Sequence, residues 1–261
     1  MKNGIAIGLG LALGLSIATF VLAQDPPAAP GAGKAGKGKG RGPATPTGPT
    51  PHLADGTVDL SGVWMGSGSN SGDITKGLKP GEQVILLPAA EALMKTRKSQ
   101  DDPEANCLPT GVPRHAPYPF RIVEQPGFIF MLFEGNIHSY RQIFMDGRNH
   151  PKDPDPTWYG HSTGKWEGDT LVIDTVGFND KFWFDFVGHP HSEQLHTIER
   201  YTRKDLGTLQ EEVTIIDPVA YSKPFTIHAS HRLLPKDELM EYICQENNRD
   251  VQHIQGPAGR P

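Results

Sequence analysis

From Phe120 onward the chain alternates hydrophobic and polar positions in short runs that end at turn signals. The runs FRIVE, FIFMLFE and HSYRQIFM are separated by QPG and GNI, and LHTIERYTRK is separated from TLQEEVTIID by DLG. A period of two, in runs rich in Val, Ile, Phe, Thr and Tyr, predicts β-strands joined by hairpins. With TWYGHSTGKW, TLVIDTVGF, KPFTIHASHRLL, ELMEYICQE and the earlier DLSGVW, the sequence predicts about ten antiparallel strands.

One stretch, LPAAEALMKTRKS, has a clear helical pattern, with Pro88 in the first turn and a predicted end at about Lys98. A meander of so many strands must close on itself or pair two sheets to protect its edges. The sequence therefore predicts a mostly β fold, an antiparallel up-and-down barrel of lipocalin-like or calycin-like type with one short helix. A β-sandwich is the alternative. A closed barrel of this size commonly leaves an interior cavity.

The N-terminal residues have the layout of an export signal. A lone Lys2 precedes an apolar run that ends in small residues at Ala23, as in a cleaved secretory signal peptide at residues 1–23. Residues 24–51 contain no large apolar side chain and are rich in Pro, Gly, Ala and Lys, which predicts a disordered tether. Residues 52–261 are the size of a single domain. We therefore expect a periplasmic or secreted protein.

Charge separates the tether from the domain. The chain has a formal net charge of −5, but the tether is basic, so residues 52–261 carry about −9. An acidic domain argues against nucleic acid as a partner. The basic tether allows a weak contact with an anionic envelope surface, and simple solvation is the alternative.

The chain contains two cysteines, Cys107 and Cys244. In an exported protein an even pair predicts a disulfide, here between an early segment and the last predicted strand. Two buried free thiols are the alternative. Two isolated cysteines are too few for a thiolate metal site.

The segment GHPHSEQLHTIERY at 188–201 concentrates imidazoles and carboxylates. His189, His191 and His196 are candidate ligands for a divalent metal such as zinc, with Glu193 as a further ligand or an acid/base residue, provided that the loop folds back at the barrel mouth. The H-x-H spacing lacks the specificity of a helical HExxH motif. The alternative is a polar loop whose imidazoles bond to backbone carbonyls. Within the following strand, alternation places His196 and Glu199 on opposite faces.

A second candidate pair lies in the hairpin TWYGHSTGKWEGDTLVID. A tight turn at EGD places Asp174 opposite Thr163 or Ser162, which leaves His161 one step along the ladder. If Asp174 points inward it needs a partner, and a His–Asp pair in a cavity is a plausible general base. The alternative is that Asp174 faces water on the outer side of the strand.

Residues around these histidines form a candidate ligand-binding set. His138 and Arg141 lie on opposite faces of one predicted strand. An inward Arg141 would bind an anionic or carbonyl-bearing ligand, whereas an outward Arg141 would be an ordinary charge at a strand edge. Aromatic side chains near the histidines, Trp158, Tyr159 and Trp183, could line a pocket for an apolar or sugar ligand. The KFWFDF run, which contains Trp183, could equally pack into the protein core as a plug of apolar side chains.

The sequence resembles an uncharacterised family of exported bacterial proteins. The resemblance rests on DLSGVW, DDPEANCLPTGVPR, HPKDPDPTWYGHS, WEGDTLVIDT and GHPHSEQLH, and it spans essentially the whole domain. It implies no activity. The Gly-x-Trp of DLSGVW is also similar to the opening of lipocalins, in which the Trp closes one barrel end.

These observations support two functional hypotheses. The first is an exported enzyme that hydrolyses a small molecule or performs hydration or elimination, with His161, Asp174 and Glu193 as acid/base residues and optional help from a metal. The second is a lipocalin-like carrier of an apolar ligand without catalysis. The sequence has no G-x-S-x-G, P-loop, dinucleotide or C-x-x-C motif, which argues against the common serine hydrolases, phosphoryl transfer, nicotinamide redox and thiol exchange.

Overall fold

The structure is a computed structural model that describes residues 44–66, 69–114, 118–135, 138–246 and 256–259. The predicted signal peptide and most of the predicted tether lie outside these ranges. Among the residues described, no helix is long and apolar enough to cross a membrane.

In the described part of the chain, nine strands close into one barrel, in which each strand pairs with the next and the ninth returns to the first. They are β1 (Gly62–Gly66), β2 (Pro119–Gln125), β3 (Phe128–Phe133), β4 (Ser139–Phe144), β5 (His161–Glu167), β6 (Thr170–Val176), β7 (His196–Arg203), β8 (Thr208–Ile216) and β9 (Phe225–Leu233). The predicted barrel is confirmed.

Helices are short and lie between β1 and β2. They are α1 (Ser69–Gly72), α2 (Pro88–Thr96) and the 3-10 turns Ile74–Gly77, Ser99–Asp101 and Glu104–Asn106. The helix predicted at Pro88 is therefore present as α2. It ends at Thr96 because Arg97 adopts an extended backbone conformation.

The pairing of β4 with β5 is parallel, whereas the other neighbours are antiparallel as predicted. Residues 145–160, which we call the crossover, carry the chain between the two parallel strands. The ladder has two register pairs, Ile143 with Ser162 and Phe144 with Thr163. Gly160 ends the crossover with a φ of +64°, and a Cβ there would lie 2.6 Å from the Val176 carbonyl oxygen, so only glycine fits this approach.

Two apolar clusters fill much of the barrel. One includes Trp64, Phe120 and Met131, and the other includes Phe182, Phe184 and residues of α2, β8 and β9. Phe182 and Phe184 are fully buried, so the KFWFDF run acts as a core plug.

A polar network crosses the same interior. Arg141 points inward from β4 and forms a two-pronged ion pair with Glu199 on β7, at 2.6 Å for each N–O contact. Its Nε donates to Ser162 Oγ and its Nη2 to Thr175 Oγ1. Burial is the largest single influence on Arg141 and lowers its pKa, but the charge and hydrogen bonds of Glu199, together with Tyr201 and Glu211, outweigh it. The pKa of the guanidinium is therefore raised.

The network continues toward β9. The Tyr201 hydroxyl donates to Glu211 Oε1 at 2.6 Å, and Oε2 of the same carboxylate lies 2.8 Å from His231 Nε2. All three side chains are buried. Burial and the nearby carboxylates raise the pKa of Tyr201, so its phenol stays protonated.

The run ELMEYICQE was predicted as a strand, and this prediction is wrong. Residues 234–246 are turns and irregular chain. Since β9 already pairs with both β1 and β8, the closed barrel offers this segment no free edge. The predicted disulfide is confirmed, and it ties Cys244 to Cys107.

The end of the predicted tether contacts the barrel. Thr50 Oγ1 donates to the Arg203 carbonyl, and the Leu206 N–H donates to the Gly48 carbonyl. Ordered contacts therefore begin before residue 52, where the sequence placed the start of the domain.

Candidate functional site

Three histidines and one aspartate meet on the outer face of the barrel. His161, Asp174 and His196 project from β5, β6 and β7, and His150 reaches them from the crossover. His150 Nε2 and His196 Nε2 lie 3.0 and 2.9 Å from the same oxygen, Asp174 Oδ1. His150 Nδ1 lies 2.8 Å from His161 Nδ1. We call these four residues the outer cluster.

Strand geometry explains the orientation of the cluster. Asp174 pairs in register with Thr163 and Ile198, while its neighbours Ile173 and Thr175 are fully buried. Alternation along β6 therefore turns Asp174 outward. The side chain of Asp174 is 43% exposed, which agrees with the alternative that it faces the outer side. His161 does not bond to Asp174 directly, because His150 occupies the position between them.

The hydrogen bonds define a proton relay. When His150 is neutral and donates from Nε2 to Asp174, its Nδ1 must accept, so His161 Nδ1 carries the proton. In that tautomer His161 Nε2 holds a lone pair. If Nε2 takes up a proton, the Nδ1 proton can pass to His150, and the positive charge then lies beside Asp174.

The electrostatic surroundings keep His161 neutral. Burial lowers the pKa of His161 below its ordinary value, and the charges of His150 and Arg148 lower it further. The Asp174 carboxylate is thus bonded to His150 and His196, whereas His161 is available as a neutral base.

A cavity of about 590 Å³ adjoins the outer cluster through His161. β4 and the crossover form its walls, and Pro109 and Tyr159 also border it. The remaining lining residues are His138, Ser139, Tyr140, Arg141, Gln142, Phe144, Pro151, Pro154, Asp155, Thr157, Trp158, Gly160 and His161. The volume falls within the usual range of small-molecule sites, about 300–1,000 Å³.

Aromatic contacts shape this cavity. The His161 ring stacks on Phe144 at 5.0 Å, and the guanidinium of Arg148 covers Phe144 at 3.9 Å. Tyr159 stacks on Phe133 at 5.1 Å, and its hydroxyl lies 3.0 Å from Ser139 Oγ. Burial raises the pKa of Tyr159, so it offers a neutral hydroxyl.

Four of the five predicted ligand-binding residues border the cavity: His138, Arg141, Trp158 and Tyr159. Arg141 is inward, as one alternative expected, but its charge is paired with Glu199 rather than free for an anion. His138 Nε2 accepts the Tyr242 N–H. Trp183 lies elsewhere, buried beneath the Arg97 guanidinium at 4.7 Å.

The three histidines predicted as joint metal ligands have separate partners. His189 Nδ1 lies 2.6 Å from Asp185 Oδ2, and His196 belongs to the outer cluster. His191 lies between the rings of Phe182 and Phe184, at 3.9 and 5.0 Å, and burial lowers its pKa to about 4. The structure does not bring the three imidazoles together, because His196 starts β7 while the loop before it turns the other two into the barrel end.

Glu193, predicted as an acid/base residue, is exposed in the turn before β7. The neighbouring Ser192 anchors this turn, since its N–H and hydroxyl both donate to Asp217. Nothing in this geometry connects Glu193 to the cavity.

A different group meets the distance requirement for a metal. Within the described ranges, Asp73, Asp185 and His189 each offer one ligand atom, and these atoms lie within 4.8 Å of one another. Asp185 already accepts from the N–H groups of Ile74, Gly188 and His189 and bonds to the His189 ring. An ion at Asp185 would have to replace the proton on His189 Nδ1, so the residues fit a metal only after a change in this bonding.

Sequence reasoning missed His150 and most of the interior network. His150 lies in NHPKDPDP, where proline and acidic residues indicate a solvated loop, and no periodic pattern links it to β5 or β6.

No family model, curated protein or solved structure matches this chain.

Proposed function

We propose that the protein is an exported enzyme that uses His161 as an acid/base group on a small molecule bound between β4 and the crossover. One observation carries the proposal: His161 borders a cavity of ligand size and is connected through His150 to Asp174. This arrangement couples a binding site to a proton relay.

In the proposed reaction, His161 Nε2 removes a proton from water or from the substrate. The Nδ1 proton moves to His150, whose positive charge is stabilised by Asp174 at 3.0 Å. The same relay returns the proton to the leaving group. A positioned acid/base residue contributes a factor of about 10²–10⁴ in rate. Hydrolysis and hydration or elimination both need this step.

The cavity walls indicate a ligand with a flat or apolar face. Phe144, Trp158 and Tyr159 offer ring surfaces, and the Gln142 and Tyr159 side chains offer polar groups. A divalent metal such as zinc, predicted from the sequence with His189, His191 and His196 as ligands, stays a prediction. Among the described residues Asp73, Asp185 and His189 lie close enough to share one ion, provided that the contact between Asp185 and His189 changes.

Export is part of the proposal. The disulfide between Cys107 and Cys244 supports an oxidising compartment, because such bonds persist outside the cytosol. The signal peptide, the weak envelope contact of the basic tether and the exclusion of nucleic acid remain predictions from the sequence.

The carrier hypothesis places an apolar ligand inside the barrel. Much of the described interior holds side chains of two apolar clusters and a polar network. The cavity of about 590 Å³ is instead bordered by β4 and the crossover. A carrier would therefore use the same outer cavity, without turnover.

The test is a rate comparison on the mature chain from Gln24, prepared without a histidine tag. Neutral aryl esters, lactones and unsaturated esters are offered as substrates to the wild type, His161→Ala and His228→Ala. His228 is a matched control, because it is a half-buried barrel histidine that faces Glu212 and lies outside the outer cluster.

We expect His161→Ala to lose a factor of about 10²–10⁴ and His228→Ala to keep its rate. Equal losses in both variants would show that the reaction is not at this cavity. Ligand-induced quenching of Trp158 fluorescence without turnover would leave the carrier hypothesis at the same site.

A further inference from the structure

The crossover is held to the barrel by few side chains. From Asp146 to Thr157, His150 and Pro154 are partly buried, and the other residues are exposed. Pro154 packs at Gly177, where an added Cβ would lie 2.8 Å from the proline ring. Backbone bonds anchor the two ends, from Met145 N–H to the Gly127 carbonyl and from Thr157 N–H to the Gly177 carbonyl.

Between Asp146 and Thr157, the side-chain hydrogen bonds to the strands that the structure describes come from the His150 ring. This ring bonds to His161 and Asp174, with a longer contact to Thr163 Oγ1 at 3.4 Å. Arg148 bonds within the loop to Asp146, although its guanidinium also covers Phe144.

The contact between the two histidines limits how many protons they can hold. At 2.8 Å, one Nδ1 must donate and the other must accept. A neutral pair and a singly protonated pair both meet this condition. A doubly protonated pair does not, because two N–H groups and two positive charges would then face each other.

We propose that the hydrogen bond between His150 and His161 is an acid-sensitive latch, and that protonation of both rings releases the crossover and opens the cavity. The latch goes beyond the proposed function, since it requires a mobile cavity wall but no catalysis. Acid would therefore release a bound ligand.

The charged groups around the latch set its direction. Asp174 can balance one added proton, but it also faces His196, which competes for the same oxygen. Arg148 adds positive charge on the crossover side, and Asp146 is already paired with it. Two added protons would therefore give the His150–His161 pair two positive charges, which the single negative charge of Asp174 cannot balance.

The sign of the pH dependence follows from His161. Its pKa is lowered in the closed form, first by burial and then by His150 and Arg148, so the open form binds the proton more readily. The closed form is favoured above about pH 6.5 and loses stability as the pH falls below that value.

The experiment is hydrogen exchange of the full mature chain, read by mass spectrometry on peptides that cover residues 146–157 and corrected for intrinsic rates. Protection of the wild type should fall as the pH drops from about 7.5 to about 5, by up to about tenfold per pH unit for one linked proton. Unchanged protection in the wild type would overturn the latch.

Two variants and one control complete the test. His150→Gln and His161→Gln each leave one titratable ring, so two cationic rings can no longer face each other. Their crossover should show the same protection at both pH values, whether it stays closed or stays open. His196→Gln also removes a partner of Asp174 but leaves the latch intact, and it should keep the response of the wild type. A wild-type response in either latch variant would contradict the proposal.

Discussion

Two carboxylates on opposite faces of one barrel wall show how burial changes the use of similar groups. Glu199 on β7 points inward and is completely buried, whereas Asp174 on β6 points outward and has a side chain that is 43% exposed. Glu199 is paired with an arginine, whose charge is permanent near neutral pH. Asp174 is paired with two histidines, and imidazole is the side chain that most often changes its charge at physiological pH.

This difference in burial distinguishes a site that stabilises the fold from a site that can take part in a reaction. The interior ion pair is surrounded by Ser162, Thr175 and Tyr201, so each charged atom has a defined partner and is buried, although Arg141 also borders the cavity. The outer cluster borders a cavity and can exchange protons with water or a ligand. Four predictions use this comparison, ordered from the largest expected change in stability to the smallest.

Glu199→Ala should cause the largest loss of stability. Removal of this carboxylate leaves the Arg141 charge buried without its counterion, and we expect the free energy of unfolding to fall by about 3–5 kcal/mol in urea titrations. Glu167→Ala is the control, because Glu167 forms exposed ion pairs with Lys165 and Arg200 and should unfold near the wild-type midpoint. Similar losses in the two variants would contradict the structural role of Glu199.

The buried His191 should make the free energy of unfolding decrease at acidic pH. Burial lowers its pKa to about 4 in the folded protein, so the unfolded chain takes up the proton first as the pH falls below about 6.5. Between about pH 7 and pH 5 this linkage should cost about 2 kcal/mol of unfolding free energy. His191→Phe should lack this part of the acid loss in urea titrations, while His228→Gln should retain it.

Tyr201→Phe should cause an intermediate loss. The substitution keeps the ring but removes the hydroxyl that donates to Glu211 at 2.6 Å, and we expect a decrease of about 1–2 kcal/mol in unfolding free energy. Tyr140→Phe on β4 is the matched control, since Tyr140 is 63% exposed. A loss in the control as large as in Tyr201→Phe would rule out the buried hydrogen bond as the cause.

Asp174→Asn should change stability least, by less than about 1 kcal/mol, because the Asp174 side chain is 43% exposed and its two partners are only partly buried. It should nevertheless reduce turnover toward that of His161→Ala, since an amide cannot stabilise the His150 cation. Urea titration and the ester assay on the same preparation test both parts. Wild-type turnover in Asp174→Asn would argue against the relay.

Strand faces were predictable from the sequence because alternation has a fixed period. It correctly separated His196 from Glu199 on β7, and it predicted all nine strands of the described barrel together with one, ELMEYICQE, that is not formed. Alternation does not reveal which face is inside when both faces carry polar residues. For this reason the burial of Glu199 and the exposure of Asp174 became clear only from the closed barrel.

The candidate site was only partly predictable. His161 and Asp174 were identified from a hairpin, but their link through His150 depends on the crossover, whose path is set by tertiary packing rather than by a local pattern. The metal prediction relied on nearness along the chain within residues 188–201. The chain turns sharply there, and the imidazoles of His189, His191 and His196 acquire different neighbours.

β4 and β5 pair in parallel through a ladder of two register pairs, and the crossover connects these two strands. Surface connections of this kind tolerate insertions and exchanges, because a longer loop adds little closure entropy. The same segment supplies Pro151, Pro154 and Trp158 to the cavity. Related sequences could therefore diverge in ligand preference by replacing one connecting segment, and a grafted crossover offers a direct route to altered specificity on an unchanged scaffold.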